Sequence, residues 1–320
     1  MDFPLISLVI PVYNTEKFLG MSLESAISQN YPNLEILILN NGSTDGSQVI
    51  IDRYAKLDPR IVTYTINHVE SVKESKDNCY YRAKGEWIVT LDSDDAIENN
   101  YVTDLWRKHL DTSADVVTGR MISVDLDGNE FSKLPEDIFD FEEVINGKRA
   151  MSRTIKIWEF GMNGALICKR CFNNIYIDNP NCLFYTDEVD SRLFLLAASK
   201  VAFSKAEYYY TFNPNSTGKK LSWDKYKYKM NTRLGLLKIV ENEYGKNSIE
   251  YGSVIYQALG VVYLAIKYFA SSKNNTKEQK REFKQMSNKL LKAIDLKRLR
   301  LSTLLFSPIK LAEEMIISLV

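Results

Sequence analysis

The chain is expected to fold as an α/β protein, a mostly parallel sheet flanked by helices, with a helical extension behind it. Three observations lead there. Short β-branched runs at 6–14, 34–39, 61–66 and 87–91 alternate with stretches of helical period, the pattern of parallel strands joined by right-handed crossovers. Each run closes in polar or glycine-rich turn residues, which puts chemistry on the sheet edge where α/β proteins bind ligands. From Trp223 onward the pattern changes to long helices.

Composition sets the outer limits. The 320 residues exceed the usual single-domain size, so a large domain with an appendage is expected. With 45% hydrophobic and 26% charged residues the chain reads as an ordinary folded protein. Lys+Arg and Asp+Glu both number 41, which argues against nucleic acid as a partner. Met1-Asp2-Phe3-Pro4 leads into a strand without a basic and apolar leader pattern, and Cys79, Cys168, Cys171 and Cys182 lack framework spacing. Both features suit a cytoplasmic location. Cys168 and Cys171 form a lone CxxC without nearby histidines and read as packing residues. With only His68 and His109, a histidine-based triad or metal site is poorly supplied.

The first strand closes at Pro11 and leaves Tyr13 and Asn14 at its carboxyl edge. Residues 15–30 then show helical spacing, with Thr15 as the expected N-cap. The second strand, 34–39, runs into the turn 40–47 and a helix over 48–56. The third, 61–66, precedes a polar segment and a helix ending near Ala83-Lys84-Gly85. The fourth, 87–91, breaks into Asp92-Ser93-Asp94-Asp95. Carboxylates this close repel one another, so the turn needs a cation or hydrogen-bond donors; a divalent metal carrying a phosphorylated ligand would meet that need. Asp-x-Asp alone is a common pattern. Its place beside two other polar strand ends gives it weight, because together they outline a crevice of nucleotide size. Further on, a helix over 101–110, a strand over 115–124, a helix over 193–198 and a strand over 200–203 are expected, while 130–160 lacks a clean period.

SLVIPVYN at 7–14, GSTDGS at 42–47, AKGEW at 83–87 and LDSDD at 91–95 together resemble the family 2 inverting glycosyltransferases of the GT-A fold. The resemblance covers roughly residues 5–217. It implies a catalytic domain at 1–217, with a nucleotide-sugar half at 1–110 and an acceptor-side half at 111–217, and an extension at 218–320. It further implies transfer of a sugar from a nucleotide diphosphate sugar, UDP by default, to a hydroxyl of a bacterial cell-surface glycan or lipid-linked saccharide. Mn2+ or Mg2+ would sit at Asp94, with Asp92 and Ser93 on the donor and Pro11, Val12 and Tyr13 beside the nucleoside. Asn41 stands where many relatives carry an Asp that contacts the base, which leaves the nucleobase open. Lys76 stands where many carry Arg; an exposed helix face shared with Lys73, Glu74 and Asp77 is the alternative reading.

An inverting transfer needs a base for the acceptor hydroxyl. The resemblance points to Asp187 or Glu188, with Asp190 third; acids favouring a helix N-terminus are the plainer explanation. Trp158 could stack on an acceptor sugar or fill the core. Lys219 and Lys220 follow a segment that resembles the family's closing loop and could pair with phosphate oxygens.

Residues 273–300 carry ten Lys or Arg against three Asp or Glu, which suits either peripheral contact with anionic lipid or a homodimer through 273–320. The apolar run 254–266 reads as short for a membrane span and as a core helix. Two other functions stay open. A nucleotidyltransferase would open with a glycine-rich, basic loop, which PVYNTEKF at 11–18 lacks. A catalytically silent nucleotide- or glycan-binding subunit would bind without turnover.

Overall fold

The structure, a computed structural model, describes residues 3–133, 140–156, 162–172, 186–212, 222–272 and 275–295. The chain divides into two compact units. One comprises Met1–Thr154, Trp158–Tyr176 and Asp190–Asn213; the other comprises Ile155–Ile157, Ile177–Val189 and Pro214–Val320.

The first unit is built on a ten-stranded mixed sheet. Its parallel half contains β1 (Ile6–Val12), β2 (Leu34–Asn40), β3 (Ile61–Thr65) and β4 (Trp87–Thr90) in the order β3-β2-β1-β4. β1 pairs with both β2 and β4, Leu8 lying opposite Ile36 and Val89. The strands are apolar throughout because both faces are covered. Ile6, Leu8, Ile10 and Val12 share one core with Leu19, Leu23, Ile51, Tyr54 and Leu105, while Val9, Leu37, Leu39 and Ile88 pack with Cys79 and Ala83 on the other side. The connecting helices are α1 (Leu19–Ile27), α2 (Ser47–Leu57) and α3 (Val72–Arg82). Glu35 accepts from Ser7 Oγ and from Lys84 N at 2.6 Å, and Gly85 N donates to Ser7 Oγ at 2.8 Å. A Cβ on Gly85 would stand 2.7 Å from Leu5 O, so the entry to β4 requires glycine.

Beyond β4 the sheet departs from simple alternation. β5 (Ala96–Ile97), α4 (Tyr101–Thr112), β6 (Val116–Val124), β7 (Glu130–Lys133), β8 (Val144–Ile145) and α5 (Gly147–Lys156) follow. β9 (Leu166–Cys168) then inserts antiparallel between β4 and β6. After α6 (Thr186–Ala197), β10 (Val201–Thr211) runs parallel to β6 and antiparallel to β5. The expected strand at 200–203 is therefore the start of an eleven-residue strand with a register shift between Phe203 and Glu207. β7 and β8 arise where the sequence shows no period, and β9 has only three residues; two- to four-residue strands are fixed by their neighbours in the sheet.

Thr15 is not the cap of α1. That helix begins four residues later behind Phe18, and Thr15 binds across the fold instead, its N–H to Ser47 Oγ and its hydroxyl to Ser93 Oγ, both at 3.1 Å. His109 is a half-buried packing residue. Its ring lies 4.3 Å from that of Trp87 and 4.6 Å from that of Trp106, with Nδ1 bonded to Ala114 O at 2.8 Å.

The second unit carries α7 (Trp223–Tyr244), α8 (Ile249–Ser271) and α9 (Lys277–Ala293). Ser222, Ser248 and Thr276 cap them, the last in a capping box with Gln279. Trp223 is buried against Phe269 and Phe283, with its indole N–H on Glu282 at 2.8 Å. α8 is longer than its apolar run suggests: it has 23 residues, its most apolar 18-residue window has a mean hydropathy of 1.4, and it is long and apolar enough to cross a membrane by length and composition. Within the unit it packs on α7, and Val254, Ile255, Ala258, Val261 and Ala265 are among its buried residues.

Candidate functional site

The carboxyl ends of β1, β2 and β4 lie along one edge, with the order 3-2-1-4 reversing direction at β1 and β4, where doubly wound sheets bind ligands. Asn14 leaves β1 in a left-handed conformation, φ 51°, and its Oδ1 accepts from Thr44 N at 2.8 Å. Asp45 accepts from Glu16 N and Ser47 N at 3.0 Å each, while Glu16 Oε2 accepts from Gly46 N at 2.7 Å. Burial opposes the charge on Asp45, but the bonds from Ser47 and Glu16 prevail and hold its carboxyl below the usual range. The GSTDGS turn is thus locked to the end of β1 by reciprocal side-chain bonds.

Asn41 is buried, and its amide is engaged on both sides: Oδ1 accepts from Val69 N at 2.8 Å and Nδ2 donates to Val69 O at 2.9 Å. It holds the segment after β3 against the end of β2. Gly42 follows at φ 68°, where a Cβ would stand 2.7 Å from His68 N. His68 is thereby brought onto Tyr13, the rings stacked 4.0 Å apart and 14° from parallel, with Nδ1 against Asn41 O at 3.1 Å. Tyr13 is 43% exposed. An exposed stacked pair at a sheet edge offers a flat apolar surface with polar rims, the kind of surface that heteroaromatic rings pack on. Pro11 is half-buried beside it. The Val12 side chain belongs to the core, 1% exposed, and its carbonyl accepts from Asn41 N.

At the end of β4 the three carboxylates have three different environments. Asp92 is half-buried, 3.3 Å from Lys76 Nζ, and Asn163 Nδ2 lies 3.5 Å from its other oxygen. Lys76 therefore turns into the site, while Lys73 and Asp77 pair with each other on the exposed face of α3 at 2.5 Å. Asp94 is half-buried. Asp95 is buried and accepts from Tyr208 OH at 2.7 Å and from Thr211 N at 2.9 Å. Burial first, and then the charges of Asp92 and Asp94, push its carboxyl up to about 8 against those bonds. Ser93 is buried on Thr15 and supports the turn from within. Protein donors thus meet part of the repulsion that the sequence assigned to a metal.

The donor types nonetheless suit a divalent cation. Among the described residues no group of three or more His, Cys, Asp or Glu could hold a metal. One or two carboxylates at Asp92 and Asp94, completed by phosphate oxygens and water, form the set that Mg2+ or Mn2+ takes in nucleotide sites.

Residues 7–176, more than half of the chain, match the family model described as glycosyl transferase family 2. The chain belongs to that family. This glycosyltransferase is 32% identical over 206 residues to glycosyltransferase GlyG of Streptococcus pneumoniae serotype 4, a match covering 62% of this chain and 67% of GlyG. It is 36% identical over 91 residues to the Escherichia coli UDP-Glc:alpha-D-GlcNAc-diphosphoundecaprenol beta-1,3-glucosyltransferase WfaP, covering 28% of this chain and 36% of WfaP. Among solved structures, S. aureus TarS 1-349 in complex with UDP-GlcNAc superposes with a TM-score of 0.65 at 18% identity, covering 91% of this chain and 81% of that one. The family and the fold expected from the four motifs are both borne out.

The glycosyltransferase's expected base is placed less simply. Glu188, near the start of α6, is ion-paired with Arg233 of α7 within the second unit, both side chains largely buried. The pair ties α6 to α7 and engages the Glu188 carboxylate. Asp190 is half-buried on α6. The side chain of Asp187 and the residues Trp158, Lys219 and Lys220 lie outside the described residues. Two residues that sequence reasoning passed over enter the site: His68, signalled by its place after a strand end, and Tyr208, signalled only by a tyrosine run in a strand.

Proposed function

We propose that this glycosyltransferase takes its sugar from a nucleoside diphosphate sugar and transfers it, with inversion and with a divalent cation, to a hydroxyl of a glycan or lipid-linked saccharide. The observation that carries the reading is the sequence of chemistries along one sheet edge: the stacked Tyr13–His68 pair at the ends of β1 and β3, then Lys76, Asp92 and Asp94 at the end of β4. A nucleotide laid along it has its base on the rings and its diphosphate at the cation and carboxylates. A UDP-sugar donor is supported by the name of WfaP and by the ligand of TarS.

Asp94, with Asp92, would hold Mn2+ or Mg2+, which supplies positive charge for the diphosphate as it leaves. Lys76 lies on Asp92 and would bind a phosphate oxygen once the cation takes over that carboxylate. Asn41 acts by holding the His68 segment in place. The acceptor hydroxyl loses its proton to a carboxylate at the start of α6; the Arg233 pairing of Glu188 favours Asp187 for that role.

The test is nucleotide release from UDP-, GDP- and dTDP-sugars, each with Mn2+ and with chelator. Release from one donor, abolished by chelator and lowered at least about a hundredfold by Asp94→Ala, is expected. Full activity of Asp94→Ala would remove the metal assignment. Binding without release from any donor, with acceptor saccharides supplied, would favour a silent binding subunit. We also propose that the basic face of α9 meets anionic lipid on the cytoplasmic side; a homodimer contact is the competing use of that face.

A further inference from the structure

We infer that Tyr208 is a positioning residue for the acidic turn: it fixes Asp92 and Asp94 in the arrangement that receives a cation and a diphosphate. The inference rests on the functional reading above. One phenol oxygen makes two bonds into one turn, donating to Asp95 Oδ2 at 2.7 Å and accepting from Asp92 N–H at 3.2 Å. The turn closes on itself through Asp95 N to Asp92 O at 3.0 Å, so the hydroxyl braces both of its ends. The other oxygen of Asp95 takes Thr211 N at 2.9 Å, so β10 grips the turn at two points along its length.

The surroundings are shaped for that ring. Tyr208 is 1% exposed, and β10 pairs with β5 immediately after the turn, Tyr208 opposite Ile97. Gly164 sits at φ 69°, where a Cβ would overlap the Tyr208 ring and the Tyr101 hydroxyl. Asn163, next to that glycine, reaches Asp92 Oδ2. Tyr208 and Asn163 therefore converge on the same turn. Tyr208 touches neither the Asp92 nor the Asp94 carboxylate in these bonds; it acts through the backbone of Asp92 and the carboxylate of Asp95. Asp95 is then a strut of the turn. Two carboxylates that share a cation must keep a set separation, and partners behind such ligands are worth about 10–100-fold in metal affinity. A turn braced before binding needs no ordering when the ligand arrives.

The experiment is a Mn2+ titration followed by electron paramagnetic resonance, on the full chain, with UDP, GDP or dTDP present. Wild type, Tyr208→Phe and Tyr101→Phe are compared. Tyr101→Phe is the control because it also removes a buried hydroxyl, bonded to Gly164 O at 3.1 Å, without touching the acidic turn. The expected result is that Tyr208→Phe weakens Mn2+ binding about tenfold or more, with Tyr101→Phe within about twofold of wild type. Unchanged affinity in Tyr208→Phe, or equal losses in both variants, would overturn the inference. Absence of Mn2+ binding by wild type with all three nucleotides would overturn the functional reading itself, and the inference with it. A second measurement needs no variant: exchange of the Asp92 amide in ligand-free wild type is expected to be slow, and exchange at the rate of an open loop would overturn the brace.

Discussion

Asn41 shows how much one side chain can decide. Its amide satisfies both backbone groups of Val69 and sets the ring of His68 on Tyr13. Asn41→Ala is expected to lower stability by about 1–3 kcal/mol, because it leaves buried backbone groups unpaired, and to weaken nucleotide binding as the His68 segment loosens. Thermal unfolding and UDP titration would check both; unchanged nucleotide affinity would detach His68 from the site. Lys225 gives a test of electrostatics. Burial, and after it the charge of Lys229, brings its amine down to about 8. A free lysine titrates near 10.4, so between about pH 8 and 10.4 the unfolded chain binds more protons than the folded one and stability rises with pH. Lys225→Met should raise the melting temperature at pH 7 and give no gain above about pH 10.5. A gain that persists at high pH would mean that packing, and not charge, is the cause.

At the scale of elements, α6 is the clearest case of divided roles. Its first residues carry the acids that the resemblance assigns to proton transfer, yet Glu188 is tied to Arg233 of α7. Asp187→Asn is expected to lower turnover by about 100- to 10,000-fold with little change in melting temperature. Glu188→Gln is expected to destabilise the second unit by breaking a buried ion pair, a loss on the order of 3–5 kcal/mol discounted for the partial exposure of the pair. The reverse pattern would make Glu188 the base. β10 and β9 were less legible than β1 to β4. The early strands are long apolar runs covered on both faces, so composition alone marks them. β9 has three residues, and its place between β4 and β6 is decided by antiparallel pairing with two partners far away in sequence.

For the whole molecule, the helices of the second unit carry a structural load and an exposed charge that can be separated. Glu282 and Phe283 of α9 pack on Trp223, and Leu290 is fully buried, so α9 belongs to the unit's core. Lys280, Lys284 and Lys289 are exposed. Their joint replacement by Glu is expected to abolish sedimentation with anionic vesicles while leaving the melting temperature unchanged, since the exposed ammonium groups carry the attraction. Retained sedimentation would end the lipid proposal, and a changed mass in solution would favour a dimer contact.

The sequence by itself determined the α/β class, the four parallel strands, the edge on which chemistry gathers, and the family, because buried strands, their closing turns and the acidic turn are all local in the chain. No local pattern tells that Lys76 turns into the site or that the Val12 and Ser93 side chains are buried. Only the tertiary structure decided those positions. Lys76 meets Asp92 because α3 packs beside β4, Glu188 meets Arg233 across two helices, and Tyr208 reaches the acidic turn across more than a hundred residues. Each of these is a contact between elements, set by packing geometry, and no local pattern of residues records it.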